Sequence, residues 1–360
     1  MKRIMLIMLS VFVALSILVT GCGTQAPKGD QANQQSNEKT ESNSSEEVYL
    51  FKYANQQNEM HPRTKSMMWF KDELEKRSNG RIKVEIYHSG VLGKEQELFQ
   101  MVVTGALQGY RGAGYEHLSD KFSLWNVPFL FESYDEIMYF EQSDVAKQIM
   151  KEASKNGVYI PAVGFTGFRN MLNAKKKIER PEDLKGMKMR APGQAPIIKF
   201  YEQMGAYPQE MNFSDVYMAL KTGVIDGACS SASDLETKKI YEVAKHFTWL
   251  DYMAGPDPLM VNMEWYQSLP DDLKKIFDEV SKETMAYSDK LLSEQEREFG
   301  KKLAAKCDDT VKVIEDPELR KLWVEACKPL WQSFIKDGLF TDDDLEAVQK
   351  VLTEYRNKNK

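Results

Sequence analysis

The feature that most constrains this chain is a run of about 36 residues, Asp271–Lys306, with no proline and a single glycine, Gly300. Leu273, Ile276, Phe277, Val280 and Leu291 recur in it at helical spacing, which predicts one amphipathic helix. At 1.5 Å per residue that helix is about 50 Å long, longer than one small domain is wide. Its apolar stripe is covered only if the helix runs across two domains. The 360 residues agree, since about 150 residues per domain suggests two domains.

Upstream, strand and helix patterns alternate. Residues 48–53 read as a strand, and 64–77 as a helix carrying Met67, Met68, Phe70 and Leu74, closed by Asn79-Gly80. Residues 81–87 alternate strictly, with Ile82, Val84 and Ile86 on one face. Residues 95–103 are helical and 157–165 form a buried strand. The middle repeats the pattern. A strand at 187–190 stops at Ala191-Pro192-Gly193, a helix at 196–204 ends at Gly205, and a strand follows at 207–211. A helix at 214–222, capped by Ser214 or Asn212, leads to a strand at 224–229. Residues 317–356 form two helices punctuated by Gly338. Parallel strands joined by helices predict an α/β fold built as two units.

The first 47 residues follow different rules. Met1-Lys2-Arg3 precedes an apolar run at 4–19 broken only by Ser10 and Ser16, too short and wrongly flanked to span a membrane. It reads as a secretory signal. Val19-Thr20-Gly21-Cys22 resembles the lipobox at which bacterial lipoprotein signals are cut, so residues 1–21 are expected to be removed and Cys22 to carry lipid. Residues 23–47 hold only Ala26 and Ala32 as apolar residues, so burial cannot offset their chain entropy. As a flexible tether they reach on the order of 30 Å.

Charge and motifs exclude several functions. With 48 Lys plus Arg against 54 Asp plus Glu the formal charge is −6, and loss of Lys2 and Arg3 makes it −8. A nucleic-acid partner, which needs a basic surface, is not expected. There is no GxSxG, HExxH, Walker A loop or GxGxxG opening a helix. His61, His88, His117 and His246 are scattered and no CxxC occurs, so neither metal nor cofactor is expected. Cys307 and Cys327 are either a disulfide or two free thiols. A surface hydrolase using Ser230 or Cys229 is a weaker alternative, because no histidine lies in a recognisable partner motif.

The informative residues are arginines at strand ends. Arg190 closes one predicted strand and Arg169 follows another, and ligands in open α/β sheets bind outside the carboxyl ends of strands. A guanidinium matches a carboxylate with two parallel hydrogen bonds, so a convergent pair selects an organic anion. Asn55, Tyr87 and His88, with Tyr53, end strands of the first unit and are candidates to face the same cleft. For Tyr87 and His88 a packing or loop role fits equally.

The chain resembles the extracytoplasmic solute-binding proteins of tripartite ATP-independent periplasmic (TRAP) transporters, the group named for dicarboxylate uptake. The likeness is carried by SNGRIKVEIYHSGVLGKEQEL at 78–98, NVPFLFES at 126–133, GFRN at 167–170 and RPEDLKGMKMRAPG at 180–193. MGAYPQEMNFSDVYMALKTGVIDG at 204–227 and LPDDLKKIFDEV at 269–280 add to it. The resemblance implies a periplasmic-binding-protein-like fold of two hinged lobes, 48–166 with about 256–295 and 167–255 with about 296–360. It makes Arg190 the carboxylate clamp and Arg169 a second anion contact. Where the family commonly has Asn after the VIDG strand this chain has Ser230, which puts the usual dicarboxylate substrate in question and favours a sugar acid. The implied protein is a monomeric, non-enzymatic receptor, lipid-anchored outside the cytoplasmic membrane, that passes a small organic acid to TRAP membrane subunits.

Overall fold

The computed structural model describes residues 47–359; the expectations for the signal segment, Cys22 and nearly all of the tether lie outside them. The strands are β1 Tyr49–Asn55, β2 Ile82–Tyr87, β3 Gly109–Arg111, β4 Val158–Tyr159, β5 Val163–Phe168, β6 Asn170–Asn173, β7 Lys188–Ala191, β8 Tyr207–Glu210, β9 Gly227–Ser230, β10 His246–Trp249, β11 Ala254–Asn262 and β12 Asp309–Lys312. The helices are α1 Pro62–Arg77, α2 Glu95–Val103, α3 Tyr134–Glu141, α4 Asp144–Ala153, α5 Ala195–Gln203, α6 Val216–Lys221, α7 Ala232–Thr237, α8 Met263–Ser268, α9 Asp271–Lys306, α10 Pro317–Lys336 and α11 Asp342–Lys358.

Two sheets result. The first has the order β2-β1-β3-β11-β4, with β5 also paired to β11, and the second β12-β10-β6-β9-β7-β8. In β2, Ile82 and Val84 are buried while Lys83 and Glu85 are exposed, so one face meets a core. Over that face Phe51 and Phe70 lie 5.6 Å apart, and Phe70 meets Phe277 of α9 edge-on at 5.7 Å. Helix α1 starts where it does because Pro62 needs no N–H partner at that position and because the His61 ring accepts from the Arg63 N–H at 3.1 Å.

The chain crosses between the sheets with very little connecting backbone. Strand β5 ends at Phe168 and β6 begins at Asn170, so Arg169 alone separates them. The return, from β10 to β11, takes residues 250–253. Helix α9 is the third connection. Its first turns pack Leu273, Phe277 and Val280 into the core around Phe51, and near its far end Leu303 joins the cluster of Leu172, Phe247 and Trp249 in the second sheet. Gly300 lets the Trp249 ring approach, since a Cβ there would sit 2.5 Å from it.

Several elements differ from the sequence expectation. The sheets are mixed rather than parallel: β11 runs antiparallel to β3, β4 and β5, and β6 antiparallel to β9 and β10, because the crossing strands enter each sheet from the opposite direction. Residues 157–165 are two strands, split around Pro161, which has no N–H for the ladder. Within 214–222 a tight 3₁₀ turn at Phe213–Asp215 precedes α6, and Asn212 makes no side-chain cap. The strand expected from 224 begins at Gly227, since the N–H groups of Val224 and Ile225 still close α6 onto Ala219. Helix α11 packs on α3, where Arg356 donates to Glu136 at 2.7 Å.

The middle of α9 buries Ser281, Thr284, Ser288, Asp289 and Glu296, with Leu292 rather than Leu291 inside. Two of these polar groups hold elements on either side of the crossing, β5 and α7. Asp289 Oδ1 accepts from the Phe165 N–H of β5 at 3.1 Å. Glu296 accepts from the N–H groups of Ala232 at 2.9 Å and Ser233 at 3.2 Å, at the start of α7. Burial pushes the Glu296 carboxyl up to about 8, whereas an unfolded Glu titrates at about 4.3. The folded state therefore keeps a proton that the unfolded chain has lost, and the associated stability, fully present below about pH 4, is lost as pH rises through about 8. Melting temperature is expected to fall between pH 5 and 8.5, and Glu296→Gln should flatten that slope. Identical slopes by scanning calorimetry would show that Glu296 does not titrate in this way.

Candidate ligand cleft

The carboxyl ends of β1, β3, β7 and β9 open onto a narrow cavity of about 50 Å³ between the sheets. Open α/β sheets place ligands at such ends. From the second sheet come Arg190 of β7, Ser230 at the end of β9 and Asp234 of α7, and from the crossing point comes Arg169. From the first sheet come Gln57 and Arg63, just after β1, and Glu95, the first residue of α2.

Arg190 is held by its own strand end. Pro192 and Gly193 terminate β7, Arg190 Nε donates to the Met211 carbonyl at 3.1 Å, and its guanidinium lies over the Phe213 ring at 5.2 Å. Arg169 donates from one terminal nitrogen to the Cys229 carbonyl at 3.1 Å, while its Nε is buried without a hydrogen-bond partner. Both side chains are buried. Neither forms an ion pair with a carboxylate of the described residues. Burial pulls the Arg190 guanidinium below its ordinary value, with Glu95 opposing that pull. Because a guanidinium stays charged in proteins, that direction records a cation kept from water without a full counter-charge. Burial in turn raises the Glu95 carboxyl, against the attraction of Arg190 and Arg63.

Arg63 stands on a built support. Its Nε donates to Asp257 Oδ2 of β11 at 2.9 Å, and Arg111 at the end of β3 donates to the same oxygen. Arg111 also reaches Ser66 at 2.9 Å and Ser288 of α9 at 3.2 Å. One buried carboxylate thus serves two buried guanidiniums, leaving a net positive charge behind the cleft.

Asp234 has the opposite surroundings. Its carboxylate accepts from Gln57 Nε2 at 2.7 Å and from Ser230 Oγ at 2.6 Å, and His61 Nε2 lies 3.2 Å away. Burial alone would raise this group, but the nearby His61 ring and the hydrogen bond from Ser230 hold it well below the usual carboxylate range.

Of the residues expected from sequence, Arg169, Arg190 and Ser230 come together in this cavity. Tyr87, His88 and Asn55 do not line it. Strand β2 is the sheet edge, so the Tyr87 hydroxyl turns outward to Glu85 at 2.7 Å and the half-buried His88 meets Ser89 at 2.9 Å. Asn55 is fully buried and shapes the turn after β1, accepting from the Gln57 N–H and, at 3.3 Å, from Thr64 Oγ1. Tyr53 lies in the core with Phe51 and Phe70. Cys229, Cys307 and Cys327 are free thiols. Sequence reasoning missed Gln57, Arg63, Glu95 and Asp234. Two carried a usable signal: Arg63 is the second residue of the helix that follows β1, and Asp234 lies one turn beyond Ser230.

A family model, bacterial extracellular solute-binding protein family 7, matches residues 53–337. The chain belongs to this family. Among curated family relatives, the C4-dicarboxylate-binding periplasmic protein DctP of Vibrio cholerae is 27% identical over 283 residues, 77% of this chain and 83% of that one. A solute-binding protein of Sulfitobacter sp. is 30% identical over 298 residues, 81% of this chain and 88% of that one. A TRAP periplasmic solute-binding protein from Haemophilus influenzae, solved with bound L-gulonate, superposes with a TM-score of 0.79 at 24% identity, over 84% of this chain and 99% of the other. The succinate-bound protein from Shewanella oneidensis gives 0.78 at 22% identity, over 85% and 99%. Such two-lobed neighbours have the fold of this family member.

Removing the charge shared by Arg63 and Arg111 tests how the cleft wall is held. Asp257→Asn keeps the shape but strands two buried guanidiniums, so urea unfolding is expected to show a loss of about 3–5 kcal/mol. A change within about 0.5 kcal/mol, the scale of a surface substitution, would show that the wall stands without this pair.

Proposed function

We propose that Arg190 and Arg169 clamp the carboxylate of a small sugar acid, and that the lobes close over it before delivery to a TRAP transporter. As a family member the protein is an extracytoplasmic receptor for an organic acid that serves such a transporter. The observation that carries the clamp is the burial of Arg169 and Arg190, at 8% and 3% exposure respectively, neither with a carboxylate of the described residues at ion-pair distance. Closing the cleft dries the ligand carboxylate and both cations together, which strengthens their attraction as the local dielectric falls.

Glu95 favours the sugar acid over a dicarboxylate. Its carboxylate faces the same cleft and repels a second anionic group, while a hydroxyl can donate to it. Solved family neighbours hold L-gulonate, galactonate and glucuronate as well as succinate, so both chemistries occur on this fold. The lobes are 48–166 with about 256–295 and 167–255 with about 296–360, and α11, within the latter, packs on α3. The receptor acts as a monomer, anchored through lipid on Cys22, and performs no chemistry of its own. A hydrolase using Ser230 is disfavoured by its partner, because the strongly acidic Asp234 is a weak proton acceptor and no imidazole stands between them.

A thermal-shift screen of organic acids is expected to show sugar acids raising the melting temperature. With the best of them, Arg190→Ala should lose about 2–5 kcal/mol of binding free energy by calorimetry while the ligand-free protein stays folded. Binding equal to wild type would remove Arg190 from the clamp.

A further inference from the structure

The hydrogens around Asp234 are fixed by chemistry rather than by choice. An ionised carboxylate only accepts, so each neighbour must turn a hydrogen toward it. The His61 ring nitrogen Nδ1 accepts from the Arg63 N–H at 3.1 Å, which leaves the ring proton on Nε2, the atom 3.2 Å from Asp234. Gln57 must present its NH2 group, 2.7 Å from Oδ1, and so its Oε1 is left buried with no hydrogen-bond partner. Ser230 has one hydrogen and gives it to Oδ2 at 2.6 Å. Both Gln57 and Ser230 line the cleft.

We infer that Asp234 sets the polarity of this wall, leaving Ser230 Oγ and Gln57 Oε1 as acceptors only, so that the site selects a carboxylate ligand whose neighbouring groups are hydroxyl donors. The inference rests on the carboxylate clamp proposed above and adds what the rest of the ligand must supply. A second carboxylate or a keto oxygen placed here would meet two acceptors beside an anion and leave all of them desolvated and unpaired. Hydroxyls of the ligand would donate to both acceptors, which are tied to the two oxygens of one carboxylate. An Asn at position 230 would offer an N–H instead, and the selection would weaken. Asp234 is thus a positioning residue, acting on the ligand through Ser230 and Gln57.

Length-matched ligands test this by calorimetry: D-erythronate against succinate, and D-gluconate against adipate. Wild type is expected to bind each hydroxylated acid on the order of 100-fold more tightly than its dicarboxylate partner, as sites built around a ligand hydroxyl reject analogues that lack it. Ser230→Ala, a small change that keeps the rest of the network, should weaken the hydroxylated acids about tenfold and, by removing one of the two acceptors, should not weaken the dicarboxylates. In Asp234→Asn the new amide can donate to Ser230 Oγ and release its hydrogen into the cleft, so the preference should shrink to within about threefold or invert. A merely structural Asp234 would weaken all four ligands equally, and that result overturns the inference. Dicarboxylates binding wild type as tightly as their hydroxylated partners, with Arg190→Ala still abolishing all binding, would overturn it while leaving the clamp standing. Failure of all four to bind wild type would overturn the clamp and the inference together.

Discussion

Positive charge buried beyond what the protein's own carboxylates neutralise is the constraint on which this structure turns. Asp257 is shared by Arg63 and Arg111, and Arg169 and Arg190 have backbone carbonyls as their nearest hydrogen-bond acceptors. Of the other carboxylates at the cleft, Asp234 is engaged by Gln57 and Ser230 with His61 3.2 Å away, and Glu95 makes no ion pair with Arg169 or Arg190. Isolated buried charges are costly, so the arrangement persists only because rigid elements on both sides hold it. The formal charge of the whole chain, −6, has the opposite sign from the site. Global charge argued against a nucleic-acid partner yet gave no information about the ligand.

The elements that supply this rigidity are the three crossings. Arg169 is the single residue between two strands belonging to different sheets, so its guanidinium is placed by both at once. Helix α9 braces the same region from behind with Asp289 on β5, Glu296 on α7 and Ser288 on Arg111. These three polar residues lie on one buried helical face. A purely apolar face could pack there, but it could not satisfy the backbone N–H groups that the crossing segments leave unpaired.

Much of the frame was legible because local signals decide it. Pro270 and the unbroken run after it fixed α9, and Gly338 separated α10 from α11. Arg190 was legible as a cleft residue from its strand end, since open sheets place ligands there, and Ser230 through the family resemblance. What escaped reading depends on tertiary neighbours. Asp257 sits in AGPDPLMVN, a fully buried strand in which the one charge has meaning only beside Arg63 and Arg111, which are 194 and 146 residues away in sequence. Tyr87 and His88 misled because a strand end points to the cleft only in an interior strand, and edge position is a property of the sheet. The buried Ser, Thr, Asp and Glu of α9 are invisible to a reading based on hydropathy, which assigned the inner face to Leu291 when Leu292 occupies it.

The donor and acceptor pattern of the cleft has a consequence for the order of events. Arg190, Arg169 and Ser230 all belong to the second sheet or its junction, whereas Gln57 and His61 come from the first. The bonds from Gln57 to Asp234, from Lys238 to the Gln56 carbonyl at 2.8 Å and from Asn58 to the Thr237 carbonyl at 3.3 Å therefore join the two sides. Lys94 and Asp215 add an exposed pair at 3.0 Å. Each such hydrogen bond contributes about 0.5–1.5 kcal/mol net, and the exposed pair about 0–1 kcal/mol. Moving a two-state equilibrium from 1:99 to 99:1 takes about 5.5 kcal/mol of differential binding, the scale that a buried carboxylate–guanidinium clamp can provide. On the proposed clamp and closure, a carboxylate is captured by the arginines of one side alone, but its hydroxyls meet the full acceptor wall only when Gln57 has arrived from the other. Discrimination between acids of equal charge then belongs to the closing step: an acid that pairs with Arg190 but cannot satisfy Ser230 and Gln57 gains the encounter and forfeits the free energy that holds the closed form.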